Sequence, residues 1–397
     1  MSYSLDFGKI SINGLRVWCM QEEKAKKMIL AEVKNHFTNR LRFFNEFNLL
    51  FLILIAIFSL SFLGQFSAFN GKFCAQVKQH LLHINIAVII MLLVYLGAFK
   101  MWHNFAYLFY VASFAALLFV AMAGTARLGA RRWIDLYFIT FQPSEMMKLF
   151  LILALARYYS ALSGQEICRL SNHIFPLLLI LMPAFVVLKQ PDLGTACILL
   201  LVGFGIIFMS GFPLKIFLIS AVSALIICPF GWFFLRNYQK NRILALLNPD
   251  ADPTGIGYHV LQSKIAIGSG YIFGKGLLQG TQSKLNFLPE KNTDFIFTTM
   301  AEEFGFLGSM TIILLFCALT CYFFWVGNES KRPFAKLVCC GLGLLVFIHV
   351  FVNIAMVTGI APVVGIPLPF LSYGGSSIMT FAAGCGLIMA AVRWMRS

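Results

Sequence analysis

The residue best placed for proton chemistry is Asp294, in the run Asn286-Phe287-Leu288-Pro289-Glu290-Lys291-Asn292-Thr293-Asp294-Phe295-Ile296-Phe297. It stands immediately before a hydrophobic stretch, where partial desolvation would raise a carboxyl pKa toward values suited to proton abstraction. An aspartate at such a place also serves as a helix N-cap complementing the dipole, which is its commoner fate. Glu302 and Glu303 follow two turns deeper, Glu302 nearer the Asp294 face; they can extend a polar cavity or bond neighbouring helices. Arg131, Arg132 and Trp133 form a second cluster: paired guanidinium groups can fork onto phosphate beside an interfacial indole, or the segment can be a plain interfacial anchor. Glu145 and Lys148, at i and i+3, share one helix face and can pair inside a membrane, lining a cavity or locking helix packing. Asp192, in Gln190-Pro191-Asp192-Leu193-Gly194-Thr195, either caps the helix after it or joins the same cavity.

The elements that must position these groups are written in the composition. Of 397 residues, 59% are hydrophobic and only 12% charged. With a mean hydropathy of +0.82, the chain lacks the polar surface a water-soluble fold needs. Apolar stretches of membrane-crossing length recur near residues 46–68, 81–99, 105–125, 143–161, 173–189, 194–211, 215–235, 295–325, 336–358 and 376–393. The expected fold is therefore an all-α polytopic membrane protein of about ten transmembrane helices. Lys9, Arg16, Lys24, Lys26, Lys27, Lys34, Arg40 and Arg42 precede the first span, so the positive-inside rule makes both termini cytoplasmic. Residues 1–45 read as a basic extension, either a juxtamembrane helix over 20–43 or a solvated tail, and 46–397 as the transmembrane domain.

One long external loop lies between spans seven and eight, its functional part about residues 236–298. It carries Arg236, Lys240, Arg242, Lys264, Lys275, Lys284 and Lys291 against Asp250, Asp252, Glu290 and Asp294. A basic outer face runs against the topology bias; an anionic substrate at the outer leaflet explains it, as does simple tolerance of a translocated loop. Its many glycines lack a preceding strand and any phosphate-loop spacing, which excludes a dinucleotide fold. Tyr258–Ile267 has the pattern of a short helix. The last external loop, 358–377, holds Pro362, Pro367 and Pro369 among apolar residues and ends Leu371-Ser372-Tyr373-Gly374-Gly375. Irregular backbone at membrane depth must be buried in protein or face water, so this loop should dip back and wall the site. The ten cysteines mostly sit in apolar spans and read as small hydrophobes, not a disulfide framework or metal set.

Four separated blocks carry a family resemblance: GARRWIDL with FQPSEMMK; KQPDLGTA; NPDADPTGIGYH through KLNFLPEKNTDFIF and AEEFG; and APVVGIPLPFLSYGGSS. Together, over roughly residues 45–395, they resemble the SEDS family of membrane proteins, nearer its RodA branch than its FtsW branch. The resemblance implies a multi-pass protein of the bacterial inner membrane that polymerises lipid II into peptidoglycan glycan at the outer face, for elongation and shape, beside a class B penicillin-binding protein. No nucleic-acid partner is expected. Asp294 matches the family's required aspartate and would take the proton of the acceptor hydroxyl; Arg131, Arg132, Lys148, Lys275 and Lys284 would receive the departing diphosphate. Trp133, Glu145, Asp192, Glu290, Ser372 and Tyr373 complete the implied substrate-binding set. No ligand cluster demands a metal, although magnesium or manganese could share the charge. Asn292 stands where the family usually has histidine, so no imidazole is available there for proton transfer. Two other readings fit ten helices with intramembrane charges: a lipid II flippase, which should present charges to both leaflets with repeat symmetry, and a non-enzymatic scaffold, which would tolerate loss of Asp294.

Overall fold

The computed structural model describes residues 47–127, 130–136, 139–231, 233, 236–248, 255–285, 287 and 290–396. The chain divides into two units, 1–52 and 53–397; of the first only the opening turns of α1 (Phe47–Ala68) are described, so the expected helix over 20–43 lies outside the described residues. The long helices that follow are α2 (Ala75–Leu96), α4 (Ala106–Ala123), α5 (Pro143–Ser160), α7 (Ile174–Lys189), α8 (Leu193–Met209), α9 (Leu214–Gly231), α13 (Ile296–Glu329), α14 (Pro333–Val357) and α15 (Gly375–Arg396). Short helices join them: α3 (Phe99–Asn104), α6 (Gly164–Ile167), and within the long loop α10 (Asn237–Leu247), α11 (Ile256–Ser269) and α12 (Thr281–Lys284).

The apolar runs thus form helices, and among the described residues seven are long and apolar enough to cross a membrane, with α8 apolar but shorter. α5 carries Glu145, Lys148 and Arg157 within 18 residues, and Pro143 occupies its first turn as its missing N–H permits. Two boundaries differ from expectation. α2 starts at Ala75 rather than near 81, because Gln76, Lys78 and Gln79 continue the helix above the apolar part. α13 runs 34 residues but is broken at Gly305, where φ is 66° and ψ −158°.

α15 is the centre of the bundle: its membrane-length window is wholly buried, against about a fifth to a third for α1, α2 and α4. Its Gly, Ala and Ser content explains the position, since small residues let backbones approach without a hydrophobic driving force. A Cβ on Gly386 would stand 2.5 Å from the Met91 carbonyl of α2. α2 packs along α15, α13 along α14, and α5 and α8 both lean on α14.

Between α4 and α5 the chain makes three short antiparallel strands, β1 (Thr125–Arg127), β2 (Ala130–Leu136) and β3 (Ile139–Phe141), in the order β1-β2-β3. The sequence reading had no strand here. Trp133 and Ile134 are residue types favoured in strands, and the ribbon packs against the start of α15.

Candidate functional site

Asp294 lies in the turns that lead into α13, and its backbone is fixed from three sides. Asn353 of α14 donates from Nδ2 to the Asp294 carbonyl (3.0 Å) and to the Ile366 carbonyl (2.7 Å). Gln65 of α1 donates from Nε2 to the carbonyls of Asn292 (2.9 Å) and Leu371 (2.8 Å). Ser372 donates to the Thr293 carbonyl (2.7 Å) while accepting from the Leu368 N–H (2.7 Å), and the Tyr373 N–H donates to the Asn292 carbonyl (2.8 Å). Irregular backbone at this depth needs such partners, because no water is at hand to satisfy it. The last loop therefore does fold back: Ile366, Leu368, Phe370 and Leu371 are buried, and Gly365, at φ 75°, presents its backbone to the Asp294 carboxylate, whose Oδ2 would lie 3.3 Å from a Cβ there.

The N-cap of α13 is Phe295 and no side chain caps the helix, so Asp294 does not have the capping role that competed with catalysis. Its carboxyl is partly exposed and pushed up to about 7, first by burial, then by the Glu290 carboxylate; Arg242 of α10 pulls it down and Asp192 pushes it up. These influences place the α7–α8 turn and α10 within electrostatic reach of Asp294. Lys291 is also desolvated, which lowers its ammonium pKa.

Asp192 caps α8, with Oδ1 accepting from the Thr195 N–H (3.1 Å) and Oδ2 from the Thr195 hydroxyl (3.0 Å). It also faces Arg132, whose Nη1 is 3.7 Å from Oδ2. The capping reading of Asp192 therefore describes its place in the fold, with an ion pair to β2 added to it. Arg132 donates further to the Gln190 carbonyl (2.8 Å) and to the Pro191 carbonyl, so its guanidinium clamps the α7–α8 turn. Arg131 lies in β2 paired with Ala126, but its side chain is outside the described set; Trp133 is half-buried.

The remaining expected residues make contacts of their own. Lys148 donates to Glu145 Oε1 (2.7 Å) and to His349 Nε2 (2.9 Å), with Lys148 only 1% exposed. His349 Nδ1 lies 2.9 Å from the Leu345 carbonyl, so a neutral Nδ1–H imidazole satisfies both contacts. The pair is a sealed packing element between α5 and α14, not the wall of an open cavity. Lys275 donates to Glu302 Oε1 (2.7 Å), which also accepts from Thr281 Oγ1 and the Gln282 N–H; Glu303 accepts from Ser67. Glu302 thus holds the long loop onto α13, and Glu303 ties α1 to it, which is the helix-bonding reading of this pair. Glu290 is exposed and accepts from Thr293 Oγ1 (2.8 Å). Lys284 is exposed on α12. Ser372 is buried with its hydroxyl committed to backbone, and the Tyr373 hydroxyl donates to Gln79 Oε1 (2.7 Å). Sequence reasoning did not single out Gln65 or Asn353. The available signal was an isolated amide within an otherwise apolar span, a costly placement that implies a partner. No group of three His, Cys, Asp or Glu among the described residues is placed to hold a metal ion.

The FtsW/RodA/SpoVE family model, described as a cell cycle protein, matches residues 40–396. The chain belongs to the FtsW/RodA/SpoVE family. Within this family it is 40% identical to the peptidoglycan glycosyltransferase MrdB of Escherichia coli K12, over 85% of this chain and 91% of that protein. Its fold is similar to a chain from a peptidoglycan synthase complex described for its coordination of polymerization and crosslinking, with a TM-score of 0.75 and 30% identity over 87% of this chain and 96% of the other. The rod shape determining protein RodA of Thermus thermophilus is similar at a TM-score of 0.67 and 27% identity, over 88% and 97% of the two chains. The multi-pass helical architecture expected from hydropathy is that of this family.

Proposed function

We infer that this chain is a peptidoglycan glycosyltransferase that polymerises lipid II, with Asp294 as its general base. The carrying observation is a carboxyl held near neutrality, partly open to the surface, on backbone tied down by Gln65, Asn353 and Ser372. A base of pKa about 7 accepts a proton far better than an ordinary carboxylate, yet still loses it readily at neutral pH. Asp294 takes the proton of the 4-hydroxyl on the acceptor sugar as that oxygen attacks C1 of the donor. The new glycosidic bond forms with inversion, the bond from C1 to the diphosphate oxygen breaks, and undecaprenyl diphosphate leaves with the electron pair.

Negative charge develops on the leaving diphosphate, so fixed cations nearby act on the transition state. Arg242, which acts on Asp294, and Arg132, which faces Asp192, are candidates for this role, with Arg131 and Lys284 as further ones. A magnesium or manganese ion, if bound, would supply further positive charge for the diphosphate. The basic N-terminal segment orients Asp294 to the outer face of the bacterial inner membrane. A class B penicillin-binding protein is the proposed partner, supported by the likeness to a complex that coordinates polymerization with crosslinking.

The test is polymerisation of lipid II by the purified chain with its partner, comparing wild type with Asp294→Asn. Loss of a general base should reduce the rate by about a hundredfold or more. Equal polymer from the variant removes the assignment, and transbilayer movement of lipid II without polymer would favour a flippase.

A further inference from the structure

The break in α13 exposes four backbone groups that a continuous helix would have paired, and one loop segment satisfies them. The N–H groups of Phe306 and Leu307 donate to the carbonyls of Tyr271 (2.8 Å) and Ile272 (3.1 Å). The carbonyls of Glu302 and Glu303 accept from the N–H groups of Lys275 (3.1 Å) and Gly276 (3.0 Å). Contact is backbone to backbone: a Cβ on Gly305 would lie 2.3 Å from the Gly274 nitrogen, and one on Gly274 2.0 Å from the Glu303 carbonyl oxygen. The segment 271–276 is therefore clamped to the helix at a defined level; Lys275 turns back to Glu302, while the three side chains at the tip point outward. Tyr271 is 83% exposed, Ile272 58% and Phe273 80%.

That level follows from α13 itself. From Phe306 to Glu329 is about 24 residues, or about 36 Å of helix, enough to cross about 30 Å of hydrocarbon unaided. α14, with 25 residues from Pro333 to Val357, gives the same length. The break at Gly305 thus stands at the membrane boundary on the side of the site. Below it, Phe306, Leu307 and Leu314 are exposed on the crossing part of α13, an apolar surface suited to lipid, and the Tyr271–Phe273 tip continues that surface upward. Tyr271 also sits at φ 47°, where glycine or asparagine is the cheaper residue, so no demand of its own fold selects an aromatic there.

We propose that Tyr271, Ile272 and Phe273 form a wedge seated in the headgroup region of the leaflet on the site side, fixing the height of the long loop relative to the lipid surface. An amphipathic tyrosine beside two apolar side chains is the composition that this zone favours. The wedge keeps Lys275 and Glu302, one residue pair away, at the level where a lipid headgroup would present its phosphates.

The experiment uses the full chain in lipid nanodiscs, open to solvent on both faces. Phe273→Trp and, separately, Ile272→Trp add a reporter to the six native tryptophans, whose signal is subtracted using the parent protein. Both sites are exposed, so neither variant disturbs the core. The expected result is blue-shifted added emission, quenched more by phospholipid brominated near the glycerol than by phospholipid brominated near the chain end, and insensitive to iodide. Added emission that iodide quenches and neither brominated lipid touches would overturn the proposal. So would protection from iodide that appears only when the class B penicillin-binding protein is added, which would make the tip a protein contact.

Discussion

Asp294 offers a test in which the sign and size of the effect come from its surroundings. An ordinary aspartate ionises near 3.8, and burial together with Glu290 raises this one to about 7. If Asp294 must be ionised to act, the rate should follow its ionised fraction: about half at pH 7, about a tenth at pH 6 and about a hundredth at pH 5. An unperturbed carboxylate would give no change over that range. The assay is the initial rate of glycan polymer formation from fluorescent lipid II by the purified chain with its partner, with each pH point read within the linear phase. Two substitutions separate this titration from any ionisation of substrate. Glu290→Gln removes the like charge and should move the midpoint to lower pH, while Arg242→Gln removes the opposing charge and should move it higher, both shifts shrinking as salt is added. Stability should change in a matching way. Between about 4 and 7 the folded carboxyl keeps a proton that the unfolded one has released, so this group's contribution falls as pH rises. Asp294→Asn should therefore match wild type in stability near pH 3, where the carboxyl is neutral in both states, and exceed it increasingly from about pH 4 to pH 8, by up to about 4 kcal/mol before solvent screening at the partly exposed carboxyl reduces it. A rate that is flat from pH 5 to 8, or midpoints that do not move in opposite directions, would refute the assignment of Asp294 as a desolvated base.

The same structure fixes several further outcomes. Lys148→Met leaves Glu145 buried without its cation and should cost about 3–5 kcal/mol by thermal unfolding in detergent, whereas the double change Glu145→Gln with Lys148→Met should recover most of it. Gly305→Ala places a methyl 2.3 Å from the Gly274 nitrogen at a backbone angle alanine avoids; it should release the loop, seen as faster proteolysis within 270–285. Asn353→Leu orphans the carbonyls of Asp294 and Ile366, costing about 1–3 kcal/mol for each group left unpaired and lowering polymerisation more than it lowers yield of folded protein.

How much of this was legible beforehand depends on how local the cause was. The crossing helices follow from runs of apolar residues, a signal that backbone hydrogen bonding in lipid makes nearly deterministic, and Pro143 marked the start of α5 by the same logic. The Tyr258–Ile267 pattern reappears inside α11. The break at Gly305 was not legible, because a single glycine in a long apolar run is tolerated in an intact helix, and what decides here is a loop segment some 30 residues earlier that supplies replacement hydrogen bonds. The strands between α4 and α5 were missed for a related reason: three short ribbons depend on pairing with one another, and none is convincing alone. Among the candidate site residues, helical spacing found the Glu145–Lys148 pair but could not tell a sealed pair from a cavity wall, since that depends on His349 about 200 positions later.

The polar side chains buried in the spans point to a common purpose. Ser61 donates to the Phe370 carbonyl, Gln65 to those of Asn292 and Leu371, and Asn353 to those of Asp294 and Ile366. Each comes from a regular helix, and each acceptor lies in irregular backbone at one end of the bundle. A helix cannot itself place a carboxylate in a half-open, half-desolvated position at the membrane edge, because its side chains either face lipid or pack inward. A loop can, but only if its carbonyls find donors in a place without water. Amides and hydroxyls on α1 and α14 supply those donors, so the rigidity of the spans is passed to the loop that carries Asp294. On this argument, substitutions at Gln65, Asn353 or Ser372 should alter Asp294 without touching substrate: the acid midpoint of the rate profile should move away from about 7 toward the ordinary carboxylate value as the loop loosens and water enters. A midpoint that stays in place while the rate falls would mean that these residues serve folding alone.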